Sequence, residues 1–454
     1  MDERPLNHGA AQAMTAPDRP ASSGRADTAR ATGMAAATMG QNLIALVFTV
    51  AFAHLLGHGG YGSLSALIAA FLIVSLPGTA LQVAVARATA LGKLGHGEQL
   101  AGTVAVWIRD LLVAAVVLAV LAVLARRQLA DLIGVSQTWA AAATLPTACI
   151  WLALSLERGV LQGIGAYVPV GASLLLEASG RLVFGVGLTL AGAGVTGGFI
   201  GTPISQVVAT AILAVVLLKR LGRPTAHHPD WRLRMLVARS WAPLLGIALL
   251  AVLQNVDVIV VRHRASGDTV DSYAAAAVAA KAVVWLAVGV ALYLVPEAAR
   301  RAHRGLDARP LLLRSTAILL VAAVPMVALY AVAGHLLLST VFGARLTRST
   351  AALPWLGLAF SLFGVSYLIV QFLLALGRAR FLALLAVGAL ADPLAVLLVP
   401  NRLSDIARAL VVLQLALLAV LLSFAHAARP VAPAEAQKSP SWLADSAPLE
   451  PTGV

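Results

Sequence analysis

Charge is scarce in this chain of 454 residues: only 12% of positions are Asp, Glu, Lys or Arg. A soluble body of this length needs much more polar surface than that, so a soluble globular protein is excluded. Cysteine is nearly absent, and the single Cys149 rules out disulfides and metal sites of the cysteine type. No G-x-x-x-x-G-K-[ST] loop occurs, which argues against ATP hydrolysis by the chain itself, and no H-E-x-x-H occurs either. The connections on one face are too short to hold catalytic groups. The chain is therefore not expected to be an enzyme, and neither a cofactor nor a metal is expected. Basic stretches lack interleaved aromatics, so nucleic acid is not expected as a partner.

What is present is apolar sequence: 60% of residues are hydrophobic and the mean hydropathy is +0.88. Crossing a hydrocarbon core of about 30 Å takes roughly 20 apolar residues in a helix. Twelve such stretches are read at 34–56, 63–86, 103–125, 139–161, 168–191, 197–218, 242–262, 273–296, 315–338, 351–376, 381–400 and 406–427. The expected class is an all-α polytopic membrane protein with about twelve transmembrane helices. Residues 1–33 and 428–454 lack such runs and read as disordered cytoplasmic tails, with no apolar core of a signal peptide in the first.

The formal net charge of +13 is unevenly spread. Lys219, Arg220, Arg223, Arg232, Arg234 and Arg239 fill one connection, and Arg300, Arg301, Arg304, Arg309 and Arg314 another. The turns at Gly57–Gly60 and Ala191–Gly198 carry no Lys or Arg. The positive-inside rule then places both termini and both basic loops in the cytoplasm. Arg126 and Arg127 run against the pattern on the outer side. The dominance of Arg over Lys and the abundance of Ala fit a GC-rich bacterial genome.

The basic linker 219–241 divides the bundle into an N-lobe, 34–218, and a C-lobe, 242–427. A shift of 212 positions aligns Gly60-Tyr61-Gly62 with Ser272-Tyr273-Ala274, and Gly165 with Gly377. Six spans per half make both halves enter the membrane in the same sense. This predicts two six-helix lobes related by a pseudo-twofold axis along the membrane normal, with a central cavity between them. Pro77-Gly78, Pro203, Pro325, Pro354 and Asp392-Pro393 are expected helix breakers, read as ordinary kinks or as bends that let the lobes rock.

Ionised side chains at membrane depth are expensive and mark a partner or a cavity. Lys281 is read either as a cation lining the cavity or as the partner of Asp257, which the hairpin of spans seven and eight sets at comparable depth. Glu177 and Arg181, four residues apart, share a helix face and are read as a self-neutralising pair, or as a coupling acid and a headgroup-binding cation. Asp392 is a plausible protonation site, because burial favours the neutral form of a carboxyl group. Arg87, at the inner boundary, is either an interfacial anchor or a gate contact to an entering phosphate. Arg109-Asp110 and Glu157-Arg158 are expected as interface pairs, and His54 and His58 carry little weight.

Leu55–Leu67 (LLGHGGYGSLSAL), Val160–Tyr167 (VLQGIGAY) and Gln254–Val261 (QNVDVIVV) are ordered along the chain. Tyr273, Pro296, Phe342-Gly343, Leu353-Pro354 and Leu376-Gly377-Arg378 follow them. In order and spacing these stretches resemble the polysaccharide or oligosaccharide-lipid flippases of the multidrug/oligosaccharidyl-lipid/polysaccharide (MOP) exporter superfamily. The likeness covers nearly the whole chain outside the tails. It implies a MOP/MATE-like fold whose cationic cavity moves a polyprenyl-pyrophosphate-linked glycan from the inner to the outer leaflet of a bacterial cytoplasmic membrane. Arg181, Lys281 and Arg87 would meet the substrate, and Glu177, Asp257 and Asp392 would serve H+ or Na+ coupling. Membrane lipids and glycan-synthesis enzymes are the implied partners. Twelve spans rather than fourteen separate the chain from the usual lipid II flippase pattern. A cation-coupled multidrug exporter of the same fold, a membrane glycan polymerase and a scaffold for glycan synthesis remain as rival readings.

Overall fold

The computed structural model describes residues 21–224 and 232–427, and all regular structure within them is helical. The first half comprises α1 (Ala21–Leu55), α2 (Gly60–Ser75), α3 (Pro77–Ala90), α4 (Gly97–Leu124), α5 (Arg126–Ile133), α6 (Thr138–Gly163), α7 (Tyr167–Leu188) and α8 (Gly194–Leu221). After a short helix α9 (Leu233–Arg239), the second half comprises α10 (Trp241–Arg264), α11 (Asp268–Ala280), α12 (Ala282–His303), α13 (Arg309–Val341), α14 (Leu353–Ala375), α15 (Leu382–Leu398) and α16 (Leu403–His426). α1 begins inside the stretch that the sequence reads as a tail. Residues 1–20, 428–454 and the centre of the basic linker lie outside the described residues.

Ten helical segments among the described residues are long and apolar enough to cross a membrane. One of them, Tyr167–Leu221, has 55 residues. Straight, it would run to roughly 80 Å, far beyond a bilayer. It folds back where Gly192 (φ 95°) and Gly194 (φ 52°) take backbone conformations closed to most side chains, so α7 and α8 are separate passes. Counting both arms and adding the shorter apolar α15 gives twelve passes, as the hydropathy pattern predicts. Twelve passes return α16 to the side on which α1 starts. That side is termed basal below, and the opposite side apical.

The halves are built alike. α6 is the hub of the first, packed by α3, α4 and α8, while α7 packs on α1. α14 is the hub of the second, packed by α12, α13 and α16, while α15 lies on α10. Each of these pairs maps onto its counterpart by the 212-residue shift. The turns after the hubs match as well. Gly165 (φ 76°) and Gly377 (φ 75°) both close a helix in the left-handed conformation. In the first, the N–H of Ala166 donates to Leu161 C=O (2.7 Å); in the second, the N–H of Arg378 donates to Leu373 C=O (2.9 Å). This is the Schellman closure, which satisfies carbonyls a helix end leaves open. α2, α10 and α11 form the main seam between the halves.

The expected breakers behave unequally. Pro203, Pro325 and Pro393 lie inside helices, and Pro77 starts α3 directly after α2. Pro354 does not break its span: it sits in the first turn of α14, where its missing N–H is not needed. A junction without proline or glycine falls at Lys281, between α11 and α12.

Candidate functional site

Lys281 lies 13 residues after the start of α11, about 20 Å along the helix and so well inside a segment long enough to cross a membrane. Its ammonium is 3.6 Å from Asp257 Oδ1 on α10 and 3.5 Å from Asn255 Oδ1. The ring of Phe360 on α14 lies 5.2 Å away, with the cation over it. The hydroxyl of Tyr273 donates to Asp257 Oδ2 at 2.9 Å, which fixes the carboxylate from its second oxygen. Lys281 is 8% exposed, Asp257 1% and Tyr273 0%, so water does little to shield this pair. The hairpin brings together the Lys281–Asp257 pair that depth alone predicts.

Asp392 projects from α15 with 0% exposure, and neither oxygen has a hydrogen-bond partner among the described residues. It interacts electrostatically with both Asp257 and Lys281. Two carboxylates and one ammonium therefore share one buried region of the second half. A bare, buried, unpartnered carboxylate is strongly disfavoured, so this arrangement is suited to holding one proton or one small cation.

The first half carries a different charge chain. Arg158 on α6 is 1% exposed; its Nε donates to Ser173 Oγ (2.9 Å) and its Nη2 to Ser173 C=O (3.1 Å). The same Nη2 lies 3.5 Å from Glu177 Oε2 on α7. Two sequence expectations are corrected here. Glu177 makes its ion pair with Arg158 across the α6–α7 hairpin, while Arg181 on its own helix interacts with it electrostatically from beyond ion-pair distance. Arg158 in turn meets Glu157 only through electrostatic interaction, and the two Glu157 oxygens have no hydrogen-bond partner among the described residues. The rotation of α6 against α7 aims Arg158 at Ser173 and Glu177, and spacing along one helix does not report that rotation. Arg181 is half-buried, its guanidinium 4.8 Å from the ring of Phe48 on α1 and its Nε without a hydrogen-bond partner among the described residues. Arg87 is half-buried in the last turn of α3, at the basal end.

A third cluster closes the apical side and escaped the sequence reading. Asp271 on α11 is fully buried and accepts the N–H of Gly59 at 2.9 Å and that of Gly62 at 2.7 Å. These belong to the free N–H groups of the first turn of α2, so one half caps a helix of the other. Arg345, between α13 and α14, lies 3.4 Å from Asp268 and 3.7 Å from Asp271, and donates to Leu56 C=O at 3.0 Å. His58 Nδ1 is 2.7 Å from Asp268 Oδ1. The only sequence signal was indirect: Gly59 and Asp271 are 212 residues apart, so this contact joins positions equivalent under the repeat.

No protein-family model matches the chain, and no curated protein matches it in sequence. Solved structures do. The lipid II flippase MurJ in an inward closed conformation superposes with a TM-score of 0.68 at 14% identity, covering 91% of this chain and 89% of MurJ. An inward-facing multidrug-resistance MATE transporter of the MOP superfamily gives 0.64 at 15% identity, over 85% of this chain and 94% of its own. A MATE protein in complex with MaD3S gives 0.62 at 15% identity, over 87% and 94%. The chain has the fold these proteins share, and its neighbours are flippases and transporters of the MOP superfamily rather than enzymes. It is a multi-pass membrane protein.

Proposed function

We propose that this chain is a flippase that carries a polyprenyl-pyrophosphate-linked oligosaccharide from the inner to the outer leaflet by alternating access, for cell-surface polysaccharide synthesis. The observation that carries the reading is Lys281, a buried ammonium well inside a membrane-length helical segment, on a fold shared with a lipid II flippase. A pyrophosphate crossing hydrocarbon needs a cation at that depth, and Lys281 and Arg181 supply one from each half. Arg87 receives the headgroup at the basal entrance. The two lobes enclose a central cavity, and the polyprenyl tail stays in the bilayer between them. Binding of the anion competes with Asp257 for Lys281, and the released carboxylate, with Asp392, takes up H+ or Na+. Glu177 has the same coupling role beside Arg181. The basal side, with the Arg-rich connections and both termini, faces the cytoplasm of a bacterium, where glycan-synthesis enzymes deliver the cargo. An inside-negative potential then favours export of each negative charge by about 2.3 kcal/mol per 100 mV.

The test is transbilayer movement of a fluorescent polyprenyl-pyrophosphate oligosaccharide in proteoliposomes, for wild type, Lys281→Ala and Arg181→Ala. The expected result is movement by wild type and none by either folded variant. Movement retained by both variants would keep the flippase and remove the site. Lack of movement by folded wild type, with or without an ion gradient, would defeat the proposal and turn attention to drug export by the same fold.

A further inference from the structure

α4 and α8 diverge on the outer flank of the first half and leave an apolar groove of about 570 Å³ between them. Ala105, Ile108, Val113 and Val117 line it from α4, and Leu218 and Leu221 from α8. The groove lies away from the α2–α10–α11 seam, on a flank where α4 packs on α6 and α8. Its upper lining is exposed (Val113 by 57%, Val117 by 52%), as expected of a surface that hydrocarbon covers.

The foot of the groove is marked by charge. Leu218 and Leu221 bracket Lys219 and Arg220 in the last turn of α8, Arg223 follows, and all three cations are exposed on the basal side. Glu98 lies against Gly222 at the same mouth, so positive charge there exceeds negative. Higher up the rim, Arg109 and Asp110 pair at 3.0 Å with their side chains 69% and 54% exposed. Charged side chains facing hydrocarbon are rare and are relieved by a polar partner. A basic mouth on an apolar groove between spans is the arrangement that takes an anionic lipid headgroup.

We infer that this groove is a binding site for one anionic phospholipid of the basal leaflet, with its phosphate on Lys219, Arg220 and Arg223 and an acyl chain along α4. The site is separate from the proposed cargo path and stands or falls independently of it. The lipid bridges α4 and α8 where protein contacts between them are few.

Delipidated full-length protein, titrated with phosphatidylglycerol or phosphatidylcholine and observed by native mass spectrometry, tests the assignment. Wild type is expected to retain one phosphatidylglycerol at about tenfold lower lipid concentration than phosphatidylcholine. The triple variant Lys219→Ala/Arg220→Ala/Arg223→Ala should lose that preference. Ala105→Trp, which fills the groove and leaves the charges intact, should lose the adduct. Equal retention of the two lipids by wild type overturns the inference, and so does an undiminished phosphatidylglycerol adduct in either folded variant. Displacement of phosphatidylglycerol by polyprenyl phosphate from wild type would assign the groove to the cargo and also overturn it.

Discussion

Replacing Asp271 by Asn should release the apical side. In the structure its carboxylate accepts two backbone N–H groups of α2 and lies 3.7 Å from Arg345. Hydrogen bonds to a charged acceptor contribute about 1.5–3 kcal/mol each, and a buried N–H left unsatisfied costs about 1–3 kcal/mol. An amide of the same shape keeps one acceptor and turns an NH2 group toward the other donor, so one bond is lost and one N–H orphaned. The closed state should weaken by about 3 kcal/mol relative to a state in which water solvates these groups. That corresponds to a shift of roughly 100-fold in the closed-to-open ratio, because about 1.4 kcal/mol is tenfold. Gly62→Ala should act in the same direction by sterics, since an added Cβ would stand 2.3 Å from Val270 Cγ1. The assay is pulsed electron–electron distance measurement between spin labels at Ser136→Cys and Ala344→Cys, one on each half. The buried Cys149 is replaced by Ser to leave only these two thiols. Wild type should give a single short distance, and both variants a second, longer population. Unchanged distances in both variants, with folding intact, would show that this cluster does not hold the halves together.

Further outcomes follow from the buried ion pairs and the helix-closing glycines. Arg158→Ala leaves Glu177 buried without its cation and should lower stability by about 3–5 kcal/mol, seen as a reduced thermal unfolding midpoint in detergent. Arg158→Lys should recover only part of that loss, because one ammonium cannot reproduce the paired Nε and Nη2 bonds to Ser173. Lys281→Ala and Asp257→Ala should each destabilise, while the double variant loses less than the sum, so a double-mutant cycle in urea reads the coupling directly; strict additivity would deny the pair. Gly165→Ala and Gly377→Ala should each cost about 1–2 kcal/mol, because both close a helix at positive φ.

Twelve passes and the repeat were legible because hydrophobic runs and turn glycines are local properties of the chain. The Lys281–Asp257 pair was legible for a related reason: a hairpin sets two residues at one depth, and depth can be counted along a helix. Arg158–Glu177 was not, because the rotation of α6 against α7 decides which side chains meet, and only packing fixes that rotation. Asp271 was missed because its main partners are backbone N–H groups, which leave no trace in residue identity. Arg345 gives no sequence signal either, because its worth lies in reaching Leu56 from the far half of the chain.

The repeat also shows what is not repeated. Shifted by 212, Asp257, Lys281 and Asp392 fall on Ala45, Ala69 and Gly180, while Arg158, Glu177 and Arg181 fall on Val370, Ala389 and Pro393. Backbone turns and helix neighbours are thus shared by the halves, and buried charge is not. A structural need common to both bundles would have placed charge at matching positions, since the packing it would serve is the same. Burying an ion pair is at best a weak source of stability, so stability alone gives no reason for two different sets. Under the proposed function, the asymmetry gives each half its own task. The second half holds an excess carboxylate beside one lysine, and the first ends its charge chain on Arg181, whose Nε has no hydrogen-bond partner among the described residues. The proposed exchange of an anionic headgroup against a proton or cation would need that division: one lobe that can change its charge, and one that offers a fixed positive group.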